Sequence, residues 1–355
     1  MNVAVVGAGI FGTSAGRFLA ERGHEVTIFE QFEPGHTKGS SHGNSRIVRK
    51  AYPDALYTEI MLEGYPMWAQ LNELSERPLL FECGLLYFGA SNDSNMKSVI
   101  EGLNTLGVPN EVLDADACER VLPQLRLEKG EVGVFTPEAG WVHAKRSVLT
   151  SLELAQEAGA WVVTRRIEAL EELESEFDAA VLCPGAWIGR YLELDVTVSL
   201  QTFAYVPGSM EGPVWIEEGP SYVYGFPSEP GRAAWKAGAH NVRMDFDPGS
   251  GDRPISQETL DVLEEFAGRR FGIVRDSMFP DDPLVSDAQT CLYTLTSEED
   301  FRIGRAGEKI VFASACSGHG FKFGPWMGRL LADIVEGKAD PRMYPRFYAE
   351  PKRLN

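Results

Sequence analysis

The sequence is poor in basic residues. Lys and Arg total 33 against 52 Asp and Glu, giving a net charge of −19. Such a surface repels phosphate backbones and disfavours nucleic-acid binding. No run of about eighteen apolar residues occurs, so no membrane-spanning helix is expected. The five cysteines (Cys83, Cys118, Cys183, Cys291 and Cys316) are scattered, odd in number and without CxxC spacing. That argues against a disulfide framework or a zinc site and fits a reducing compartment. The chain opens almost at once on a core strand, without the basic segment and apolar stretch of an export signal, so the cytoplasm is the expected location. Internal repeats and low-complexity linkers are absent. With 355 residues, two domains are expected rather than one.

Two stretches share one grammar. Val3 to Val6 is a continuous apolar run, followed by Gly7-Ala8-Gly9-Ile10-Phe11-Gly12 and a helical pattern over Thr13 to Arg22. Near the other end, Ile310 to Ala313 leads into Ser317-Gly318-His319-Gly320-Phe321-Lys322-Phe323 and an amphipathic segment, Trp326 to Val335. Both read as strand, glycine-rich turn, helix. Two helix starts could aim backbone N–H groups at one anionic cofactor. Glu25 to Phe29 gives a second strand, closing on Glu30. A long polar loop, Glu33 to Ser45, follows, and loops of that length in compact enzymes are usually functional. Leu56 to Glu76 and Ser147 to Gly159 are expected helices. Trp161 to Thr164 and Asp178 to Cys183 are expected strands.

Between these α/β pieces the style changes. Residues 81–141 and 201–298 carry short alternating β segments, such as Leu85 to Phe88 and Tyr222 to Phe226. The expected fold is therefore α/β. A discontinuous Rossmann-like dinucleotide-binding domain takes residues 1–80, 142–200 and 299–355. A β-sheet-rich α+β substrate domain, inserted twice, takes 81–141 and 201–298.

Gly7, Gly9 and Gly12 form GxGxxG between a strand and a helix. The first glycine permits the tight turn, the second lets a pyrophosphate approach the backbone, and the third lets helix and sheet pack closely. Glu30 falls where a ribose hydroxyl ligand is expected, and its charge disfavours a 2′-phosphate. This pattern alone leaves NAD and FAD both open. Arg46, Arg49 and Lys50 cluster within the acidic chain, as either a solvated charge group or a local anion site.

Several further stretches are more specific. They are Gly39-Ser40-Ser41-His42-Gly43-Asn44-Ser45-Arg46-Ile47-Val48-Arg49, Tyr224-Gly225-Phe226-Pro227-Ser228, Lys236-Ala237-Gly238-Ala239-His240, Cys291-Leu292-Tyr293-Thr294, and Ser317 to Phe323. In order, over nearly the whole chain, they resemble monomeric sarcosine oxidase and its relatives, FAD-dependent oxidases of secondary amino acids. The resemblance implies an FAD domain and a β-sheet catalytic domain, with a small amino acid and molecular oxygen as partners. It implies a monomer, and no ligand cluster in the sequence supports a metal ion.

The same resemblance assigns roles. Cys291 carries FAD through a thioether, which needs a reachable, partly ionised thiol. Arg49 and Lys322 hold the substrate carboxylate, a fork and a point charge suited to that anion. Lys236 activates oxygen, because a fixed positive charge stabilises superoxide. His42 and Arg46 flank the isoalloxazine ring, Ser41 belongs to the same cofactor-binding loop, and His240 stands beside the substrate. Tyr224 and Tyr293 line the cavity, and Gly318 offers a carbonyl to the substrate amine. The helix after Phe323 directs its positive end at the flavin pyrimidine edge. His36 and His319 receive no chemistry. The expected reaction moves a hydride equivalent from an N-alkylated or cyclic amino acid to flavin N5 and yields an imine and hydrogen peroxide. Two other readings are a dehydrogenase that passes electrons to another acceptor and a flavin-binding protein without catalysis. Trp141, Trp215 and Trp235 read equally as cavity or core residues.

Overall fold

The computed structural model describes residues 1–274, 284–314 and 316–354. Residues 275–283, part of the stretch expected as the second insertion, lie outside the described residues, as do Ala315 and Asn355.

A six-stranded sheet runs in the order Arg302–Arg305, Ile310–Ser314, Ala179–Leu182, Asn2–Val6, Glu25–Glu30, Trp161–Thr164. Every neighbouring pair is parallel except the first, which is antiparallel. The central strands are buried on both faces, which explains their unbroken apolar runs. Helices Ile10–Glu21, Ala144–Glu157 and Gly324–Val335 cover one face. The other face packs on Ile167, Leu170, Leu173 and Phe177.

A nine-stranded, mostly antiparallel sheet gathers the short β segments. Its central run is Thr197–Pro207, Ala234–Ala239, Val223–Phe226, Val214–Glu217, Leu85–Ala90 and Glu131–Thr136, with Ser286–Leu295 paired to Thr197–Pro207. Leu85–Ala90 and Val214–Glu217 run parallel. The two stretches of short β segments thus share one sheet, although residues 137–196 part them in sequence. A parallel pair needs a long crossover of this kind. Helix Gln257–Phe271 closes the outer face of the sheet over a core that includes Trp215 and Trp235. Trp215 stacks on Phe266 with ring centres 4.9 Å apart. Trp141 stacks on Phe81 at 4.0 Å. All three tryptophans are core residues.

A third sheet is not legible in the sequence. Ser45–Val48 pairs with Gly140–His143, which also pairs with Leu80–Glu82. This pairing ends the polar loop at Ser45 and pins the stretch that carries Arg46 and Arg49. Most helix limits shift by a few residues from expectation. The first helix starts at Ile10, inside the glycine motif, and the second spans Ala55–Glu73.

Candidate active site

One cavity of about 670 Å³ runs from the glycine motif of the six-stranded sheet to the inner face of the nine-stranded sheet. At the first end stand Gly7, Gly9, Glu30 and Ser41. Gly7 has φ +100°, and a side chain there would collide with the Cys183 carbonyl oxygen. A side chain on Gly12 would collide with the Gly7 carbonyl oxygen. Gly12 does not line the cavity; it lets the helix sit on the turn, the packing role expected of the third glycine. The Ile10 amide donates to Ser41 Oγ at 3.1 Å.

Glu30 accepts from the Ala8 amide at 2.8 Å and the Phe32 amide at 3.1 Å. Burial alone would raise its pKa, but His36, 3.5 Å away, and these two amides together hold it below the ordinary carboxylate value. It is therefore a charged acceptor at the strand end. His36, which has no role in the sequence reading, lines the cavity beside it. No motif spacing signals that contact. The bare-glycine turn and the acid suit the pyrophosphate and ribose of FAD.

The middle of the cavity is cationic. Lys236 is 2% exposed. Its ammonium donates to the Ser45 carbonyl at 3.0 Å and lies 4.3 Å from the Phe203 ring centre. Arg46 donates to the same Ser45 carbonyl at 2.8 Å and to the Ser40 carbonyl at 2.8 Å. Arg49 donates to the Tyr222 hydroxyl at 3.0 Å and rests 4.1 Å from the Tyr52 ring centre. Lys322 is 6% exposed and donates to the His319 carbonyl at 2.8 Å. Among the described residues, no carboxylate pairs with any of these four cations; their acceptors are carbonyls and hydroxyls. Lys50, next to Arg49, turns away to pair with Glu138.

Burying unpaired cations is expensive, and the pKa directions of the two lysines record it; at Arg49 burial is outweighed by the neighbouring Tyr222, Tyr52 and Tyr87, and the pKa rises. Burial pushes both lysines well below their ordinary value; Arg46 adds to the shift on Lys236, and Arg49 adds to that on Lys322. A fold that tolerates this cost holds positive charge for an anion or for electrons.

His319 is a support that sequence reasoning misses. Its Nε2 faces the Glu299 carbonyl at 3.0 Å, and its Nδ1 faces the Tyr52 hydroxyl at 3.3 Å. With the proton on Nε2, Nδ1 accepts from Tyr52. Its carbonyl holds Lys322. One residue thus braces the ring under Arg49 and anchors the second cation. The Trp68 indole fixes the Lys322 backbone by donating to its carbonyl at 2.6 Å.

Cys291, Tyr293 and Tyr224 line the cavity from the nine-stranded sheet. Burial pushes the Cys291 thiol above its ordinary value, and Arg46 and Lys236 offset only part of that rise. Gly318 has φ +73°, and a side chain there would strike both His240 and Tyr293 at 2.5 Å. His240 faces Glu299 at 3.3 Å, and its ring centre lies 5.4 Å from that of Tyr293. Lys236, Arg46, Arg49, Lys322, Tyr224, Tyr293, His240, Gly318, Cys291, Ser41 and Glu30 therefore share one cavity.

Two of the expected parts stand off the cavity wall. His42 does not line the cavity. It is buried behind the wall with Nε2 unpartnered, and burial, with Arg46 and Lys236 nearby, lowers its pKa to about 3. The helix after Phe323 does not reach the cavity directly. A 3₁₀ turn, Gly320–Phe323, intervenes, and Gly320, Phe321 and Lys322 present themselves instead. Among the described residues, no cluster of His, Cys, Asp and Glu could hold a metal ion, and no helix is long and apolar enough to cross a membrane.

The family model described as FAD dependent oxidoreductase matches residues 2–334. The human protein named peroxisomal sarcosine oxidase is 28% identical over 384 residues, covering 100% of this chain and 95% of that protein. N-methyl-L-tryptophan oxidase of Citrobacter koseri is 26% identical over 378 residues, covering 100% and 98%. The solved structure of L-proline dehydrogenase from P. horikoshii superposes with a TM-score of 0.82 at 19% identity, covering 98% of this chain and 99% of that one, which shows a common fold. With its glycine turn, its acid at the strand end and its full-length match, the chain belongs to the FAD-dependent oxidoreductase family, among the sarcosine oxidase-like enzymes.

Proposed function

We propose that the chain is an FAD-dependent oxidase of an N-alkylated or cyclic secondary amino acid, giving an imine, hydrolysed in water, and hydrogen peroxide. The observation that carries this reading is the set of four cations without acidic partners among the described residues, lining a cavity that begins at the dinucleotide glycines. The names of the human and C. koseri relatives both specify N-methylated amino acids. FAD, when bound, would supply the redox chemistry, as acceptor of a hydride equivalent from the α-carbon or N-alkyl carbon and donor of two electrons to oxygen.

The chain supplies position and charge. Gly7, Gly9, Ser41 and Glu30 hold the dinucleotide, and Arg46 stands at the ring. Arg49 and Lys322 clamp the substrate carboxylate, which fixes the reacting carbon and removes much of the entropic cost of reaction. The Gly318 carbonyl accepts from the amine, with Tyr224, Tyr293 and His240 around it. Lys236 offers its charge to reducing oxygen. His42 acts from behind the wall, as a neutral neighbour of Arg46 and Lys236. Cys291 tethers the flavin by a thioether, helped by the same two cations. Residues 1–80, 142–200 and 299–355 form the FAD domain, with 81–141 and 201–298 as the substrate domain, in a monomeric cytoplasmic enzyme.

The test is anaerobic addition of secondary and primary amino acids to the yellow holoprotein. Secondary amino acids should bleach it, and under air each turnover should yield one peroxide. Bleaching without peroxide would replace oxygen with another acceptor. Protein that stays colourless after reconstitution with FAD would overturn the reading.

A further inference from the structure

Five carboxylates line the cavity: Glu30, Asp54, Glu218, Glu298 and Glu299. Four face a basic side chain, namely His36, Arg346, Arg302, and the pair His240 and Arg243. Glu218 alone does not, among the described residues. Its two oxygens accept from the Tyr87 hydroxyl and from the Asn95 side-chain amide, the latter at 3.1 Å. Both partners are neutral. A carboxylate has about four acceptor positions, so two stay open.

Glu218 is tied to the carboxylate clamp through one ring. Tyr87 is fully buried, with the Arg49 guanidinium 5.8 Å from its ring centre and its hydroxyl on Glu218. Tyr222 stands beside it, ring centres 6.4 Å apart, and carries the hydroxyl that meets Arg49. The cavity therefore presents two cations without acidic partners, Arg49 and Lys322, and an anion without a basic partner one tyrosine away. Ile216 and Phe226 supply apolar wall on the same sheet.

We propose that Glu218 is a specificity-determining residue that receives a cationic side-chain tail, an ammonium or guanidinium, of the amino acid whose carboxylate sits on Arg49 and Lys322. The inference rests on the amino acid oxidase reading and names the substrate class within it. An apolar stem would lie along Ile216 and Phe226, and the tail would complete the acceptor set of Glu218.

The test compares Nα-methyl-L-lysine with Nα-methyl-L-norleucine, which has the same stem without the charge. Anaerobic flavin bleaching of the holoenzyme gives kred/Kd for each. The lysine derivative is expected to be favoured about tenfold, the worth of one hydrogen bond to a charged group. Glu218→Gln should bring the ratio near one, and Glu218→Lys should invert it in favour of Nα-methyl-L-glutamate. Rescue of that acidic analogue would show that the variant is folded. Bleaching by the norleucine derivative with no lysine preference, or a preference that survives Glu218→Gln, would overturn this inference while leaving the oxidase reading intact. If no amino acid bleaches the flavin, both fall together.

Discussion

Replacing Lys322 with Met separates binding from stability, because affinity falls steeply while stability changes little. Lys322 is buried, its ammonium meets one carbonyl, and among the described residues no carboxylate offsets its charge. In the clamp, losing one partner of a desolvated charge pair costs about 2–5 kcal/mol, or roughly thirtyfold or more in affinity. In the free protein, removing an unpaired buried charge is favourable by about 1–4 kcal/mol. The lost bond to the His319 carbonyl offsets about 1.5–3 kcal/mol of that. The net stability change is therefore small, about 2 kcal/mol or less either way. It also carries a pH signature. Burial, and then Arg49, depress the Lys322 pKa on folding. A lysine so shifted penalises the charged fold. The penalty is complete below its folded pKa and is relieved as pH rises toward 10.5. Relative to the parent, Lys322→Met should thus be more favourable at neutral pH than at about pH 10, where the advantage is lost. The concentration dependence of anaerobic bleaching gives the affinity, and denaturant unfolding at about pH 7 and pH 10 gives the stability. An unchanged affinity, or a stability loss as large as the binding loss, would refute the argument.

Lys236→Met should leave anaerobic bleaching by substrate nearly unchanged and slow reoxidation by air about a hundredfold, the scale of one lost electrostatic contact in a dry site; stopped-flow mixing with oxygen checks it, and equal reoxidation rates would remove Lys236 from that role. Cys291→Ser should release all yellow colour to the supernatant after acid precipitation, whereas the parent pellet should stay yellow; a colourless parent pellet would rule out the tether. Burial lowers the pKa of both His42 and His319 from 6.5 to about 3. Their neutral forms stabilise the fold above pH 6.5, and that contribution is lost as pH falls from 6.5 toward 3. Their ring proton resonances should accordingly stay flat from about pH 8 to about pH 5, and an inflection near 6.5 would contradict the burial argument.

The cofactor half of the fold is plain in the sequence for a physical reason. Asn2–Val6 and Ala179–Leu182 are covered on both faces, so their apolar runs are unbroken and easy to read. GxGxxG is legible because Gly7 and Gly12 answer local backbone constraints. The sheet of Ser45–Val48, Gly140–His143 and Leu80–Glu82 is hidden because three- and four-residue strands carry no periodic signal. The four cations are visible through motif resemblance, whereas their supports are not. Tyr222 meets Arg49 across 173 residues and His319 meets Tyr52 across 267, tertiary contacts that nothing in their spacing announces. His42 shows the converse. Its motif is recognisable, but burial behind the wall depends on packing that no local pattern encodes. Trp215 and Trp235 are core residues for a similar reason, since helix Gln257–Phe271 arrives from distant sequence to cover them.

The Ser45 carbonyl receives both Arg46 and Lys236, at 2.8 and 3.0 Å. Two positions far apart in sequence are thereby bound to a single shared acceptor. Substitution at either frees a lone pair for the other, so their effects are epistatic and a double variant will not behave as the sum of its parents. Retuning the chemistry at one position drags the other with it, and drift at this pair is expected to proceed in concert rather than one residue at a time.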